Sequence, residues 1–494
     1  MRGRPPVARL ARRGLAGIAL VAVTLFAGRA WQSQLGPPLR PWHTYVPHEL
    51  RAEEIDAVDW AGYLRAEVSI FDLLRTEVTQ KLDEEDRVPS NRYFDGSPVH
   101  PGRFAQDWNR SYVLSPDGPP AGAAVFLHGL TDSPYSLRHV ARQYLAHGCV
   151  SVVIRLPAHG TVPGALTAVE WEDWQAATRL AVREAVRRSG PGKPLHLVGY
   201  SQGGALAVKY TLDALEEASS PRPDRLVLLS PMIGITSHAR FAGLAGLPAV
   251  LPAFAKAAWL GVLPEFNPFK YNSFPVNAAR QAHGLTVAIQ RQTARYAREG
   301  RLAQLPPILT FQSVADFTVS ARAIVSGLYA HLPSNGSELV LFDLNQAAKL
   351  GPLLRSPDES RLARILPPPP RRYRTTVVTN ASPATPEVVA RTTEAGGMDE
   401  QSRPLGVSYP AEIYSLSHVA LPFPQNDGLY GMQPDPTEDF GVRLGALAVR
   451  GERGALVVSL DALLRLSSNP FFPYLTERID ECLVAPGPSA AGFR

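Results

Sequence analysis

Cysteine, methionine and early acidic residues are scarce in this chain. Its 494 residues include two cysteines and four methionines, and no aspartate or glutamate precedes Glu49. Two cysteines exclude a disulfide-rich scaffold, and Cys149 and Cys482 could either form one disulfide or remain two buried thiols. Because no cluster of cysteine and histidine has metal-ligand spacing, we expect neither a metal site nor a cofactor.

The overall composition is that of an ordinary globular protein. The chain is 45% hydrophobic and 19% charged, which excludes a wholly disordered chain and a protein with many membrane spans. It is rich in proline and glycine but lacks a Gly-X-Y period, so it is not collagen-like. Its length allows one large elaborated domain or two domains.

The positive charge is concentrated at the start of the chain. The net charge is +5, and residues 1–30 contain six arginines and no acidic residue, which leaves the remainder at −1. The body therefore has no general excess of cations for binding phosphates, and no zinc-finger or RNP motif is present. We expect no nucleic-acid partner.

The same N-terminal segment has the pattern of a targeting signal, although an arginine-rich disordered start followed by a core helix would also fit. Five arginines precede the uncharged run Gly14–Gly28, which as a helix would span about 22 Å and is shorter than the ~30 Å hydrocarbon core. The length favours a signal peptide, whereas the poor cleavage site Gly28-Arg29-Ala30 fits an uncleaved anchor. We predict that residues 1–33 are a signal peptide or membrane anchor. The body would then be exported, or anchored in the cytoplasmic membrane with its catalytic domain outside the cytoplasm.

The body begins with a linker and helices and continues as an α/β domain. Residues 34–110 are predicted to be a proline-rich linker followed by a helical segment, because apolar residues recur at helical spacing over 49–85. Short apolar runs then alternate with amphipathic stretches over 111–232 and 305–494, which predicts a parallel sheet flanked by helices. The predicted strands are Ala123–Leu127, Val150–Ile154, Leu195–Val198, Arg225–Leu229, Pro307–Phe311 and Glu338–Phe342.

Two segments interrupt this alternation. Residues 233–304 show helical spacing and no strand, which predicts a helical cap. Residues 345–412 contain four consecutive prolines and a β-like run at Thr375–Thr379, which predicts a second, partly irregular insertion. The apolar residues of the cap could line a pocket for an acyl or aromatic group or pack on the sheet; they are Phe241, Leu244, Leu247, Leu251, Phe254, Trp259 and Leu263.

A nucleophile motif lies between a predicted strand and a predicted helix. Gly199-Tyr200-Ser201-Gln202-Gly203 fits G-x-S-x-G, and this context is typical of a sharp turn that exposes a serine hydroxyl. An attacking serine needs donors for the developing oxyanion. The segment His128–Ser133 follows another strand, so we predict that the backbone N–H groups of Leu130 and Gln202 form an oxyanion hole.

Chain order indicates the base and the acid. In serine hydrolases of this strand-turn-helix type the serine is followed by the acid and then by the histidine. Only His331 and His418 lie beyond the strand at 307–311, and His331 ends a helical stretch that faces away from the site, so His418 is predicted as the base. Asp316 follows a strand end and is predicted as the acid, with Asp343 as the alternative. Asp316 could instead only cap the helix that follows it.

These pieces resemble the α/β-hydrolase superfamily, and within it the group of monoacylglycerol lipases, lysophospholipases and bacterial carboxylesterases. The resemblance implies an α/β-hydrolase fold with a cap over an acyl pocket, Ser201 as nucleophile, His418 as base and Asp316 as its orienting acid. One departure is that Asp316 and His418 are 102 positions apart, far more than is usual in this group. The resembling segments are His128–Ser133, Leu156–Gly160, Trp171–Trp174, the turn around Ser201, Asp316 and Ser417–Val419.

The predicted function is hydrolysis of a carboxylic ester through an acyl-enzyme, with a small-molecule ester or a lipid as substrate. Three alternatives remain open at the sequence level. An amide or peptide hydrolase would use the same triad, and an acyltransferase would differ only in the final acceptor. A catalytically silent envelope protein would keep the fold for binding.

Overall fold

The structure is a computed structural model of the full chain. It describes residues 6–234, 247–316, 319–344, 359–382, 385–409, 413, 415–445, 449–450 and 464–484.

One large sheet organises the described residues. Ten strands lie in the order β1-β3-β2-β4-β5-β8-β9-β10-β11-β12. Neighbours from β3 to β10 are parallel, and β1, β11 and β12 pair antiparallel at the two edges. The strands are β1 Tyr112–Leu114, β2 Gly122–Leu127, β3 Cys149–Ile154, β4 Leu195–Tyr200, β5 Arg225–Leu229, β6 Trp259–Gly261, β7 Phe274–Pro275, β8 Ile308–Ser313, β9 Glu338–Asp343, β10 Arg374–Asn380, β11 Glu387–Thr393, β12 Glu400–Ser408, β13 Ser415–Leu416, β14 Val449–Arg450 and β15 Leu464–Leu466.

Helices cover both faces of this sheet. In chain order they are α1 Pro6–Gln34, α2 Pro41–Thr44, α3 Ala52–Ala57, α4 Trp60–Glu77, α5 Arg138–Ala146, α6 Trp171–Ser189, α7 Gln202–Asp213, α8 Val276–Arg298, α9 Ala321–Gly327, α10 Glu359–Ile365 and α11 Phe472–Val484.

The central strands are buried on both faces. In β2, Val125 and Leu127 belong to the core that α6, α7 and α8 cover, whereas Phe126 between them belongs to the core under α5 and α11. Successive side chains of a strand point to opposite faces, so continuous apolar runs such as β2 are buried twice. The predicted fold class, a mostly parallel sheet flanked by helices, is confirmed.

The N-terminal region is more closely packed than a linker would be. Trp42 and His43 in α2 are buried, and the His43 ring donates from Nε2 to Ser273 Oγ at 3.0 Å. Burial lowers the pKa of His43 to about 4, so this ring is neutral near pH 7. Residues 39–47 therefore pack partly on the body, and the prediction of a linker is wrong for them, whereas residues 34–38 are exposed.

The region predicted as a cap is only partly separate from the sheet domain. Its helix α8 lies between β5 and β8 in the chain and packs on α7 and α6. It packs there because Leu285, Ile289 and Tyr296 on one of its faces enter the main core. The expectation of no strand is also wrong, since β6 and β7 pair antiparallel. Residues 235–246, with Phe241 and Leu244, and the side chain of Leu247 lie outside the described residues.

The region 345–412 extends the sheet. Strand β10 pairs parallel with β9, and β11 and β12 follow as an antiparallel meander. The β-like run Thr375–Thr379 lies within β10, whereas β11 and β12 replace what the sequence predicted as irregular. Residues 345–358 lie outside the described residues.

The C-terminal region returns to the sheet domain. Strands β13, β15 and β14 form a small separate sheet, and α11 packs on the α5 side of the main core. Cys149 in β3 and Cys482 in α11 are both free thiols, which resolves the alternative that the sequence left open. Burial raises the pKa of each thiol.

Candidate active site

Ser201 occupies a strained turn between β4 and α7. Its φ of 53° and ψ of −113° lie in a region that residues with a side chain rarely adopt. Its N–H donates to the Leu229 carbonyl at 2.9 Å, and its carbonyl accepts from the Met232 N–H at 2.9 Å. These two bonds hold the turn against β5 and the residues after it.

Glycines allow the backbones around this turn to approach one another. A Cβ atom on Gly203 would lie 1.8 Å from the Leu127 carbonyl oxygen, and one on Gly199 would lie 2.4 Å from the Gly203 oxygen. No rearrangement of a flexible side chain could relieve these contacts, because the opposing atoms are backbone. The motif glycines are therefore required by the packing of β4 and α7 on β2.

The segment after β2 lies directly beside the serine. A Cβ atom on Gly129 would be 3.4 Å from Ser201 Cβ. Thr131 has a left-handed φ of 63°, and its carbonyl accepts from the Tyr271 N–H at 2.7 Å. Within the described residues, the backbone N–H groups of Leu130 and Gln202 have no hydrogen-bond partner, so both remain able to bind an oxyanion.

Two buried histidines support this segment and are already committed to structural bonds. His128 donates from Nδ1 to the Gly129 carbonyl and accepts at Nε2 from the Leu156 N–H. Burial holds the pKa of His128 well below its ordinary value and lowers the pKa of His159 to about 4. Both rings are therefore neutral near pH 7, and the bonds of His128 occupy both of its nitrogens.

Asp316 and His418 form the pair that the sequence predicts. The His418 Nδ1 atom lies 3.2 Å from Asp316 Oδ1, and the side chains are 13% and 1% exposed, respectively. The Asp316 carboxylate also accepts from the Val319 N–H at 3.1 Å and from Gln312 Nε2 at 3.3 Å. These contacts orient the imidazole and leave its Nε2 atom on the side away from the carboxylate.

The other sequence candidates take different places. Helix α9 is capped by Ser320, whose hydroxyl accepts from the Ala323 N–H, so Asp316 does not serve as its N-cap. His331 is exposed at the end of the 3₁₀-helix Tyr329–His331. Asp343, the alternative acid, is buried at the end of β9, and the carboxylate paired with His418 is that of Asp316.

The loop after His418 is held by a buried ion pair that the sequence analysis missed. Arg138 Nη1 lies 2.7 Å from Asp427 Oδ2, and both side chains are fully buried. Asp427 also accepts from His139 and from the Tyr135 hydroxyl. Burial opposes the ionisation of Asp427, but Arg138 and His139 outweigh it and hold the pKa of that carboxyl below its ordinary range. No local pattern links residues 138 and 427, so only the tertiary structure identifies this pair.

A second group of charged residues lies near the oxyanion segment and was also missed. Burial raises the pKa of Asp132 to about 6, against the opposing effect of Lys270. Burial lowers the pKa of Lys270 itself. Lys270 precedes Tyr271, whose N–H holds Thr131, so these charges lie close to the predicted oxyanion hole.

Comparisons with known proteins identify the family. A family model described as the alpha/beta hydrolase family matches residues 124–429, a range that contains Ser201, Asp316 and His418. The chain belongs to this family. No curated protein matches the chain significantly.

Several solved structures are similar to part of the chain. One comes from work on LipS and LipT, two metagenome-derived lipolytic enzymes; it is 22% identical, covers 44% of this chain and 83% of its own, and has a TM-score of 0.35. Est1E from Butyrivibrio proteoclasticus with bound ferulic acid is 20% identical over 47% of this chain and 84% of its own, with a TM-score of 0.34. A soluble variant of monoglyceride lipase from Saccharomyces cerevisiae is 13% identical over 47% and 81%, with a TM-score of 0.36.

Proposed function

We propose that this α/β hydrolase is a serine esterase that cleaves carboxylic esters through an acyl-enzyme. Ser201 is the nucleophile, His418 the general base and Asp316 the acid that orients the base. The backbone N–H groups of Leu130 and Gln202 stabilise the oxyanion.

The observation that carries this proposal is the contact between Asp316 and His418. These residues are far apart in the chain, yet their side chains meet at 3.2 Å. Ser201 follows β4 and Asp316 follows β8, and only β5 lies between these strands, so the two strand ends are about 10 Å apart. An imidazole bound to Asp316 can bridge such a distance to a serine hydroxyl, which supports a triad.

The reaction follows from the roles of these atoms. His418 Nε2 takes the proton from Ser201 Oγ as the oxygen forms a bond to the ester carbonyl carbon. The proton then passes to the departing alkoxide, and the alcohol leaves. A water molecule, deprotonated by the same nitrogen, attacks the acyl-enzyme, and the carboxylic acid is released while Ser201 regains its proton.

The bonds of the other histidine near the serine turn favour His418 as the base. His128 is buried, uncharged near pH 7 and bonded through both ring nitrogens, so it is not available as a general base. The developing negative charge is then stabilised by backbone N–H groups, and loss of one such donor typically costs about 3–4 kcal/mol.

Steady-state hydrolysis of p-nitrophenyl esters tests the proposal. Ser201→Ala and His418→Ala should each lower kcat by about four to six orders of magnitude, and Asp316→Asn by about four, because these groups act as a unit. Ser69→Ala, which removes a hydroxyl from the exposed face of α4, is the matched control and should hydrolyse the esters at the unmodified rate.

Two results would overturn the proposal. One is ester hydrolysis that persists in Ser201→Ala, which would place the nucleophile elsewhere. The other is faster turnover of amino-acid p-nitroanilides than of the matched esters, which would make the protein an amide hydrolase on the same fold.

A further inference from the structure

Most of the apolar segment of helix α1 makes no contact with the rest of the described structure. Its segment Arg13–Gln34 is long and apolar enough to cross a membrane, and only 6% of its most apolar window is buried. Leu15, Ile18 and Leu25 along it are largely exposed. The uncharged run Gly14–Gly28 rises by about 22 Å, whereas a hydrocarbon core of ~30 Å requires about 20 residues. A membrane-spanning α1 must therefore use residues up to about Ser33.

Those same residues are bonded to the body. Arg29 donates to the Trp259 carbonyl at 2.6 Å, and Gln34 donates to the Ala253 carbonyl at 3.0 Å. Lys256 donates to the Leu35 carbonyl at 3.0 Å, where it offsets the negative end of the helix dipole. Ala30 and Ser33 are buried, so the helix end packs on the 3₁₀-helix Pro252–Ala258 as well as bonding to it.

Exposed apolar side chains surround this joint. We name them the membrane-facing patch, and they are Trp31 at 75% exposure, Leu35 at 62%, Leu251 at 50%, Leu260 at 48% and Leu263 at 54%. Residues 247–264 include Lys256 and no acidic residue, and none precedes Glu49 either. The two acidic residues that line a pocket with Leu263, Asp86 and Glu265, are both buried. Exposed apolar side chains on segments that carry Arg29 and Lys256 but no acidic residue suit the boundary of a bilayer, where tryptophan is also enriched.

We propose that the membrane-facing patch lies in the interface of the lipid bilayer that α1 crosses. Because the outer boundary of the hydrocarbon falls at the residues that hold Pro252–Trp259, this segment is placed at the level of the headgroups. The catalytic body is therefore docked directly on the membrane surface, and no free tether separates it from α1. This inference does not depend on the proposed reaction.

Fluorescence quenching by lipids tests the docking without any use of activity. The full chain carrying Cys482→Ser is reconstituted in vesicles of phosphatidylcholine and phosphatidylglycerol. A nitrobenzoxadiazole label is placed at Leu260→Cys or at Leu73→Cys on α4, and both positions are 48% exposed. Nitroxide lipids labelled near the top of the acyl chain should quench the label at 260 several-fold more than the label at 73, while a label at Val21→Cys reports insertion of α1.

Two further arms complete the test. Lys256→Ala together with Arg29→Ala should reduce quenching at 260 and leave it unchanged at 21, because the joint is broken while α1 stays inserted. Equal quenching at 260 and 73 with strong quenching at 21 would show a tethered body and overturn the proposal. Absence of quenching at 21 would show that α1 does not cross the bilayer and would overturn the proposal as well. So would shielding of the label at 260 by a second copy of the chain in detergent, because the patch would then be a contact between copies.

Discussion

The turn that carries Ser201 and the loop that carries His418 are positioned by opposite means. The turn is built from contiguous residues, and its geometry depends on the absence of side chains at Gly199 and Gly203. The loop follows β13 and is held by residues from other parts of the chain. The Asn469 N–H donates to the Phe423 carbonyl, and Arg138 forms an ion pair with Asp427. One half of the site is therefore encoded locally and the other by tertiary contacts.

This difference explains how a large excursion between acid and base is tolerated. Strands β10, β11 and β12 are added at the far edge of the sheet, away from β4, β5 and β8. The chain then returns, and the buried Arg138–Asp427 pair ties the histidine loop to α5, the helix between β2 and β3. The length of the intervening segment matters little when its two ends are fixed independently.

The largest effect is expected from a substitution in the turn that carries Ser201. Gly203→Ala places a methyl group where the Leu127 carbonyl oxygen lies, so β4 and α7 must separate from β2. We expect a loss of about 5 kcal/mol or more in the free energy of unfolding, or failure to fold, measured by urea denaturation. Gly118→Ala, where no atom lies within 4 Å of the added carbon, is the control and should stay within about 0.5 kcal/mol.

Among the tertiary contacts that hold the His418 loop, loss of the Asp427 carboxylate by Asp427→Asn should reduce stability most. The substitution removes one of the two carboxylates that pair with the fully buried Arg138, while Glu438 stays 2.6 Å from its Nη2 atom. We expect a loss of about 3 kcal/mol, the lower end of the cost of breaking a buried ion pair. The denaturation midpoint should fall with it, whereas Asp435→Asn, on the exposed part of the same loop, should change it little. An Asp427→Asn protein as stable as the unmodified chain would show that the ion pair does not hold the loop.

Acid should titrate His159 and Asp427 in different pH windows. Burial lowers the pKa of His159, whose ring contacts that of His128, to about 4, so the folded state binds fewer protons than the unfolded state between about pH 6.5 and 4. Its contribution, about 3 kcal/mol at 1.36 kcal/mol per unit, is present above pH 6.5 and is lost as the pH falls to 4. The contribution of Asp427 is lost only below the ordinary carboxyl pKa, because its own pKa is lowered.

Unfolding measured from pH 8 to pH 3 separates these windows. In His159→Asn the slope of stability against pH between 6.5 and 4 should be shallower than in the unmodified chain, while the slope below pH 4 is retained. An unchanged slope between 6.5 and 4 would contradict the assignment of a buried neutral ring.

The smallest effect concerns a cap within the histidine loop. The Ser417 hydroxyl accepts from the Val419 N–H at 3.3 Å, at the start of the 3₁₀-helix that contains His418. Ser417→Ala should cost about 1 kcal/mol in thermal unfolding and lower kcat only modestly, because the Asp316 contact still orients the imidazole. A loss of activity as large as that of His418→Ala would mean that this local cap, and not the tertiary contacts, positions the base.

The sequence predicted the parts of the molecule that depend on short-range pattern. Each of the six predicted strands overlaps an observed one. A strand that is buried on both faces has a continuous apolar sequence, and such a sequence can be recognised without the structure. The parallel sheet and the turn around Ser201 followed from the same short-range features. The packing of Trp42 and the placement of α8 in the sheet domain were missed, because both are set by partners that lie far away in the chain.

The candidate site divides in the same way. Ser201 and the oxyanion segment were predicted from contiguous motifs, whereas His418 and Asp316 were predicted only from chain order. Arg138 and Asp427 carry no local signal, since a buried ion pair between residues 289 positions apart looks like two ordinary charges in the sequence. Strand β12 was missed because it is mostly exposed and so lacks an apolar pattern.

Covalent labelling tests the convergence of Ser201, His418 and Asp316 most directly. The folded, unmodified chain is treated with a fluorophosphonate, and the modified peptide is identified by mass spectrometry. We expect one adduct, on the peptide that contains Ser201, that is lost in His418→Ala and retained in His331→Ala. Absence of the adduct in the folded protein, or equal labelling of His418→Ala, would contradict this convergence.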